Sequence, residues 1–179
     1  MELESYVRVI NYYETDQMQV VHHSNYARYL EEARLHLMDQ LGLPYNKLEE
    51  MGIIIPVLEL HDYYIKSITY GDVIEIRPVV VKLTSVRFTL EYEIYRSGTD
   101  ELLHRAETSH AFLDADFKPM NLKKAYPDVY EKLQIVTKKD TKKDTKKDSK
   151  SKSKTNSKSK SSTKNKSKKN EVTKKSKSR

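Results

Sequence analysis

The run from Tyr12 to Tyr26 contains one aspartate and two adjacent histidines whose side chains could do chemistry together. Asp16, His22 and His23 fall between a strand-like segment and a long helical pattern. The start of a helix offers unpaired backbone N–H groups and the positive end of the helix dipole. Such a place can polarise a carbonyl group, while a carboxylate beside it deprotonates a water molecule. The run therefore predicts a site where a carbonyl carbon is attacked.

The elements on either side of this run are a short strand and a long amphipathic helix. Residues 6–12 alternate as a first strand does, and apolar residues recur at helical spacing from 24 to 41. Ser24 or Asn25 can cap the start of this helix, and Gly42 stands where a glycine ends one. The apolar positions are Tyr26, Tyr29, Leu30, Ala33, Leu37, Met38 and Leu41.

The second half of the chain is rich in β-branched and aromatic residues, which favour strands. Strands are predicted from residue 53 onward, with Pro56 near the start, and over 73–83, 87–95 and 102–113. Short helices are predicted over 44–51 and 127–133. One long helix and about five antiparallel strands make an α+β layout.

The run resembles the signature of the hotdog-fold acyl-CoA thioesterases, in particular the 4-hydroxybenzoyl-CoA thioesterase and YbgC-like branch. That signature has Tyr-x-x-Thr-Asp, then Val-Val, then His-x-Asn-Tyr at the start of the central helix. These elements stand here at 12–16, 20–21 and 23–26. The resemblance spans about residues 5–133 and implies one long central helix wrapped by a curved antiparallel sheet.

The resemblance also implies catalytic roles for two residues. Asp16 matches the family aspartate that acts as general base or nucleophile; the alternative is that it only caps a turn. His23 matches the histidine before the central helix, where it would orient water, hold the thioester or protonate the leaving group. The alternative for His23 is a loop histidine that hydrogen-bonds the backbone. His22 is interpreted as structural.

Five further residues are predicted to bind the substrate. The backbone N–H groups of Asn25 and Tyr26 match the family's oxyanion site, although Asn25 can also be a plain N-cap. Tyr13 is expected to line the same pocket. Lys66 and Arg87 could contact the phosphates of CoA, or could be ordinary charges on exposed strand faces.

One departure from the family pattern concerns the loop after the aspartate. The family usually has a glycine just before the Val-Val pair, and here that position is Gln19. A glycine allows a positive φ or a close approach to the ligand. Its replacement predicts an altered loop geometry or a slower enzyme, while every chemical group of the site is kept.

Composition divides the chain into a domain over 1–136 and a tail over 137–179. The first part holds 14 basic and 22 acidic residues, a net charge of −8, whereas the tail holds 19 basic and four acidic residues, a net charge of +15. The tail is almost without apolar residues, which predicts disorder. Its lysines suit electrostatic binding to nucleic acid or anionic membrane, and the alternative is a solubilising extension.

Several classes of site are excluded or not expected. There is no cysteine, so disulfides and thiolate sites are excluded, and the histidines show no metal-ligand spacing. No cofactor is expected, because the CoA thioester is itself the substrate. The sequence shows neither a bilayer-spanning run nor a signal-peptide pattern, which predicts a cytoplasmic protein.

The favoured hypothesis is a homodimeric or homotetrameric acyl-CoA thioesterase, since its relatives build their site between subunits. Two alternatives remain open. One is a thioesterase that takes its acyl group from an acyl carrier protein. The other is a non-catalytic acyl-CoA-binding protein that is targeted by its basic tail.

Overall fold

The structure, a computed structural model, describes residues 3–137 of the 179-residue chain. Residues 138–179, which are all of the predicted tail except Thr137, lie outside the described residues, and so does the prediction that the tail is disordered. The elements, in chain order, are β1 (Tyr6–Val9), a 3₁₀ turn (Tyr12–Glu14), α1 (Ser24–Gln40), α2 (Tyr45–Glu50), β2 (Val57–Tyr64), β3 (Val73–Leu83), β4 (Arg87–Arg96), β5 (Leu102–Ala111), α3 (Leu122–Ala125) and α4 (Pro127–Val136).

The strands form one antiparallel sheet in the order β1-β3-β4-β5-β2. Strands β3, β4 and β5 are consecutive in the chain and adjacent in the sheet, as antiparallel hairpins allow. Strand β2 follows α1 but joins the sheet at its far side, beside β5. This arrangement confirms the predicted α+β class and leaves β2 as one edge of the sheet.

One face of the sheet is covered by α1. Along β4 the side chains of Phe88, Leu90, Tyr92 and Ile94 are buried, and the intervening residues point the other way. This period of two places every second residue on the same face. The buried apolar residues of α1 pack against that face and are Tyr26, Tyr29, Leu30, Ala33, Leu37 and Met38.

The start of α1 differs from the prediction. His23 is the N-cap residue, its side chain makes no capping hydrogen bond, and Ser24 and Asn25 lie inside the helix. Both of the expected capping side chains are engaged elsewhere, because Ser24 Oγ lies 2.8 Å from His22 Nδ1 and Asn25 Nδ2 donates to the Glu14 carbonyl. The predicted helix end is confirmed, since Gly42 follows it with a φ of +64°.

The first strand is shorter than the sequence pattern indicates. It ends at Val9, and Asn11 then begins the 3₁₀ turn with Glu14 in a reciprocal capping box. Residues 11 and 12 belong instead to this turn, and Ile10 forms backbone hydrogen bonds with Gly71 and Asp72. Within residues 3–137, no helix is both long enough and apolar enough to cross a membrane.

Candidate active site

Asp16 lies in a tight turn that connects the 3₁₀ turn to α1. Its N–H donates to the Val20 carbonyl at 3.0 Å, and the Gln19 N–H donates to the Asp16 carbonyl at 2.9 Å. Its carboxylate oxygen Oδ1 accepts the Met18 N–H at 2.8 Å. The alternative role of Asp16 as a turn cap is therefore present, but it uses only one oxygen. Within residues 3–137, Oδ2 has no hydrogen-bond partner.

Gln19 adopts the conformation that a glycine would favour. Its φ is +63°, in the left-handed region, where a side chain costs about 1 kcal/mol or more. The turn thus keeps a glycine-like backbone although the usual glycine is replaced. The departure seen in the sequence is a local strain at this residue, in a turn that is held by hydrogen bonds of Asp16 with Met18, Gln19 and Val20.

The other acid of the run, Glu14, anchors the turn. Its carboxylate is buried, forms an ion pair with Arg8 and accepts the Asn11 N–H at 2.7 Å. Its backbone carbonyl accepts the His22 N–H at 2.9 Å and the Asn25 amide at 2.8 Å. The side chain of Asn25 therefore joins the start of α1 to the 3₁₀ turn and has a structural role.

The backbone donors at the start of α1 are not those that the sequence predicts. The N–H groups of Asn25 and Tyr26 donate to the carbonyls of His22 and His23, at 3.0 and 3.3 Å. The Ser24 N–H meets only the His22 ring nitrogen, at 3.3 Å. In the described part of the chain, no acceptor faces the N–H of His23. The available donor is therefore two residues earlier than expected, because the first turn of the helix already uses the later ones.

A cavity of about 330 Å³ lies beside this turn and brings together four of the predicted site residues, Asp16, His23, Tyr26 and Lys66. Burial raises the pKa of the Tyr26 phenol to about 12, so Tyr26 is neutral at physiological pH. Lys66 Nζ lies 2.8 Å from a carboxylate oxygen of Glu101. The remaining lining residues are Met18, Val20, Val21, Tyr64, Ile65 and Ser67.

Three predicted binding residues do not line this cavity: Tyr13, Arg87 and Asn25, whose side chain is bonded to the 3₁₀ turn. Tyr13 is 78% exposed in the 3₁₀ turn, and its hydroxyl accepts a hydrogen bond from the Asn11 amide at 3.3 Å. Arg87 lines a separate cavity of about 450 Å³, together with Lys82 and Glu107. It sits there because it occupies an outward-facing position at the start of β4, where alternate side chains point away from α1.

Behind the cavity, His104 and Asp62 form a partly buried hydrogen-bonded pair to which no sequence motif points. His104 Nε2 lies 2.8 Å from Asp62 Oδ1, and the His104 ring contacts the rings of Tyr26 and Tyr64. The one signal in the sequence is alternation: Asp62 and Tyr64 are alternate residues of one predicted strand and thus share a face. The described residues contain no cluster of three or more histidine, aspartate or glutamate side chains that could hold a metal ion.

Comparison with known proteins places this arrangement in a family. The model described as the thioesterase-like superfamily matches residues 10–133. The chain belongs to the thioesterase-like superfamily. YneP of Bacillus subtilis, a provisionally assigned acyl-CoA thioesterase, is 34% identical over 127 residues, which cover 69% of this chain and 91% of YneP. A provisionally assigned esterase of Aquifex aeolicus is 36% identical over 108 residues, covering 60% of this chain and 83% of that protein.

A solved structure of a related thioesterase has the same fold as this thioesterase-like protein. The DHNA-CoA thioesterase of Staphylococcus aureus superposes with a TM-score of 0.70 at 35% identity, covering 74% of this chain and 89% of that one. The predicted hotdog fold is therefore confirmed. The predicted enzyme class, thioester hydrolase, is confirmed at the level of the superfamily. The 4-hydroxybenzoyl-CoA and YbgC-like branch stays a prediction.

Proposed function

We propose that this thioesterase-like protein hydrolyses an acyl-CoA thioester to a free carboxylic acid and CoA. The observation that supports the proposal most is the position of Asp16. Its carboxylate is held by the Met18 N–H through one oxygen, and it lines the same cavity as His23 at the start of α1. Relatives named as acyl-CoA and DHNA-CoA thioesterases, at 34% and 35% identity, add support for a CoA thioester.

The proposed reaction begins with the thioester carbonyl oxygen at the His23 N–H. A hydrogen bond from this group stabilises the negative charge that grows on the oxygen when the carbon is attacked. In one route, Asp16 takes a proton from water, and the resulting hydroxide attacks the carbonyl carbon. The C–S bond then breaks, the CoA thiolate leaves and takes up that proton, and the acyl group departs as the carboxylic acid.

In the second route, Asp16 is itself the nucleophile. Its carboxylate attacks the carbonyl carbon, the C–S bond breaks, and the CoA thiolate leaves and takes a proton from solvent. Water then attacks the aspartyl carbonyl carbon of the acyl-aspartyl anhydride, which releases the carboxylic acid and restores the Asp16 carboxylate. A single turnover in ¹⁸O-labelled water separates the two routes. Label in the Asp16 carboxylate is expected for the second route, and label only in the released acid is expected for the first.

The test of the proposal is Asp16→Asn, with a matched control in the same kind of turn. Asp114 also accepts an N–H two residues later, at 3.0 Å, and its turn contains the positive φ of Phe117. Asp114 does not line the cavity. We expect Asp16→Asn to lower hydrolysis of acyl-CoA by roughly 10²- to 10⁴-fold and Asp114→Asn to leave it unchanged. Near wild-type hydrolysis by Asp16→Asn would refute the proposal.

We also propose that the active unit is a homodimer formed along β2. This strand is an edge of the sheet, so its outer N–H and C=O groups are available to a second chain. Leu58 and Leu60 on β2 are 43% and 40% exposed. Helix α1 packs mainly over β3, and β2 is the strand farthest from β3 in the sheet. A second copy would cover both leucines and complete the open side of the cavity.

Leu60→Lys tests the dimer because it places a charge in the proposed contact. We expect it to give a monomer in light scattering and to lose hydrolysis. Val7→Lys is the matched control, since Val7 is similarly exposed on β1 at the opposite edge. A wild-type protein that is monomeric and fully active would contradict this part of the proposal.

A further inference from the structure

A buried histidine and a partly buried aspartate form a hydrogen-bonded pair behind the cavity that holds Asp16. His104 is completely buried on β5, and its Nε2 lies 2.8 Å from Oδ1 of Asp62 on β2. Tyr64 stands opposite His104 in the register of the two strands. Asp62 and Tyr64 are two residues apart on β2 and therefore share the face toward α1. The sheet register brings all three side chains to one place.

Three aromatic rings meet at this point. The ring of Tyr64 lies 5.0 Å from that of His104, at an interplanar angle of 58°, and 5.0 Å from that of Tyr26, at 86°. The rings of Tyr26 and His104 are 4.5 Å apart. Centroid distances between 4.5 and 7 Å in tilted or edge-to-face geometry are the favourable ones. The Tyr64 ring is thus supported on two sides.

Tyr64 is nevertheless exposed. Its exposed fraction is 55%, and it lines the cavity together with Asp16 and Tyr26. An exposed ring on an edge strand normally samples several rotamers, and fixing it has an entropic cost. Here the contacts with Tyr26 and His104 already restrict the Tyr64 ring in the folded protein, before any ligand binds. A ring that is rigid before the ligand arrives loses little freedom on contact with it, which raises affinity.

The Asp62 carboxylate fixes the orientation of the His104 ring. A carboxylate acceptor holds a proton on the bonded nitrogen, so Nε2 is the donor of this hydrogen bond. Nδ1 of His104 is buried and has no hydrogen-bond partner within residues 3–137. The ring cannot turn over without placing its donor where no acceptor lies. Asp62 therefore determines the surface against which Tyr64 packs.

We propose that Tyr64 is a specificity-determining residue of the acyl site, and that Asp62 and His104 are positioning residues that hold its ring. The inference rests on the proposed hydrolysis at Asp16. The aromatic face of Tyr64 is available to a planar acyl group, whereas a short alkyl group covers little of it. Stacking on such a face changes affinity by roughly 2- to 12-fold.

The experiment measures binding of two probes, benzoyl-CoA and butyryl-CoA, to the full-length chain. Asp16→Asn is used as the background so that both thioesters stay intact, and calorimetry gives each Kd. Tyr64→Ala is expected to weaken benzoyl-CoA binding by about tenfold and butyryl-CoA binding by less than threefold. Tyr64→Phe keeps the ring and is expected to retain the preference.

The matched control is Tyr63→Ala. Tyr63 is the neighbouring residue on the same edge strand and is 60% exposed, but it lines a cavity on the other face with Glu91 and Arg105. It therefore reports any general damage to β2 or to a dimer formed along it. Tyr63→Ala is expected to leave both Kd values unchanged. An equal loss of the preference in Tyr63→Ala would overturn the inference.

The positioning role is tested with Asp62→Asn in the enzyme that retains Asp16. We expect the KM for benzoyl-CoA to rise severalfold while kcat changes little, because the residue acts on the wall of the cavity and not on the reacting atoms. Equal rises of KM for both thioesters would contradict this role. Weakening of both probes to the same extent by Tyr64→Ala, or binding of neither probe, would overturn the assignment of Tyr64.

The two proposals fail in different ways. If the wild-type chain hydrolyses no thioester, the proposed function fails, while the Kd values in the Asp16→Asn background still decide the role of Tyr64. If hydrolysis depends on Asp16 but the ratio of the two Kd values is insensitive to Tyr64→Ala, only the inference about Tyr64 fails.

Discussion

Gln19 and Phe117 are the two residues other than glycine that have a positive φ within residues 3–137, at +63° and +60°. Each lies in a turn that begins with an aspartate, and only the turn of Gln19 borders the cavity. Gln19→Gly relieves the left-handed strain but adds freedom to the unfolded chain, so we expect a net gain of about 0.5–1 kcal/mol in unfolding free energy.

Phe117→Gly is the matched control for Gln19→Gly. Urea denaturation should show a similar gain for both variants, since the backbone strain is the same. Only Gln19→Gly is expected to change the rate of thioester hydrolysis, because the Asp16 carboxylate is bound within its turn. A loss of stability in both variants would show that the left-handed conformation is not strained here.

His110 is expected to make stability depend on pH. It is completely buried, stacked on Phe88 at 4.8 Å, and its Nε2 lies 2.8 Å from Thr108 Oγ1. Burial, together with the charge of Arg34, lowers the pKa of His110 to about 3. Above about pH 6.5 His110 is neutral in both the folded and the unfolded chain, so protonation of this residue takes nothing from the unfolding free energy.

Below pH 6.5 the unfolded chain binds a proton at His110 that the folded chain excludes until about pH 3. Unfolding free energy should therefore fall by about 1.4 kcal/mol per pH unit from this residue alone. We expect His110→Gln to remove that part of the slope between pH 6 and pH 4.5. His61→Gln, at an exposed position of β2, is the control and should keep the wild-type slope. Equal slopes for wild type and His110→Gln would contradict the prediction.

Three elements around the active site are joined by Arg8. From β1 its guanidinium pairs with Glu14 of the 3₁₀ turn and with Glu32 of α1, and it lies 4.0 Å above the Tyr29 ring. The side chains of Arg8 and Glu14 are almost fully buried. Arg8→Met leaves the Glu14 carboxylate buried and unpaired, so we expect a loss of about 3–5 kcal/mol in unfolding free energy.

A double variant tests whether the unpaired charge is the cause of this loss. Arg8→Met/Glu14→Met removes both charges, and urea denaturation should show it to be more stable than Arg8→Met alone. Arg77→Met is the control for an exposed pair, that of Arg77 with Glu75 on β3, and should cost less than about 1 kcal/mol. A double variant as unstable as the sum of the single variants would refute the explanation.

Sequence patterns predict the elements better than they predict the contacts between them. The third strand is found over the predicted residues 73–83, because its alternation and flanking turns are local signals. The family resemblance predicts the oxyanion donors at the N–H groups of Asn25 and Tyr26. Within residues 3–137 no acceptor faces the His23 N–H, whereas the N–H groups of Asn25 and Tyr26 already donate to the carbonyls of His22 and His23.

Long-range pairs are the part of the site that the sequence does not reveal. Asp62 and His104 are 42 residues apart and meet only because β2 is inserted beside β5 and not beside β1. Asp16 could be found because its motif is contiguous in the chain. The ring of Tyr64 depends on the register between two strands, and no local pattern contains that information.

At the scale of the whole molecule, charge is divided unevenly along the chain. Residues 1–136 carry a net −8 and residues 137–179 a net +15. Within the second part, residues 137–148 contribute +3 and residues 149–179 contribute +12. Lysine arrays bind polyanions by releasing condensed counterions, which makes affinity fall steeply with salt. We expect the lysines to contact the phosphates of a nucleic acid and not the base edges, so binding should show little preference for nucleotide sequence.

Two truncations separate the contribution of charge from that of catalysis. Removal of residues 138–179 should abolish retention on heparin and duplex DNA at low salt, and removal of 149–179 should abolish most of it, in proportion to the +12 that is lost. Neither truncation should change acyl-CoA turnover or melting temperature, because the residues that line the Asp16 cavity all lie between 16 and 67. Retention that is insensitive to salt would show that the basic segment does not bind polyanions through its charge. A loss of turnover in either truncation would show that the segment acts on the folded domain.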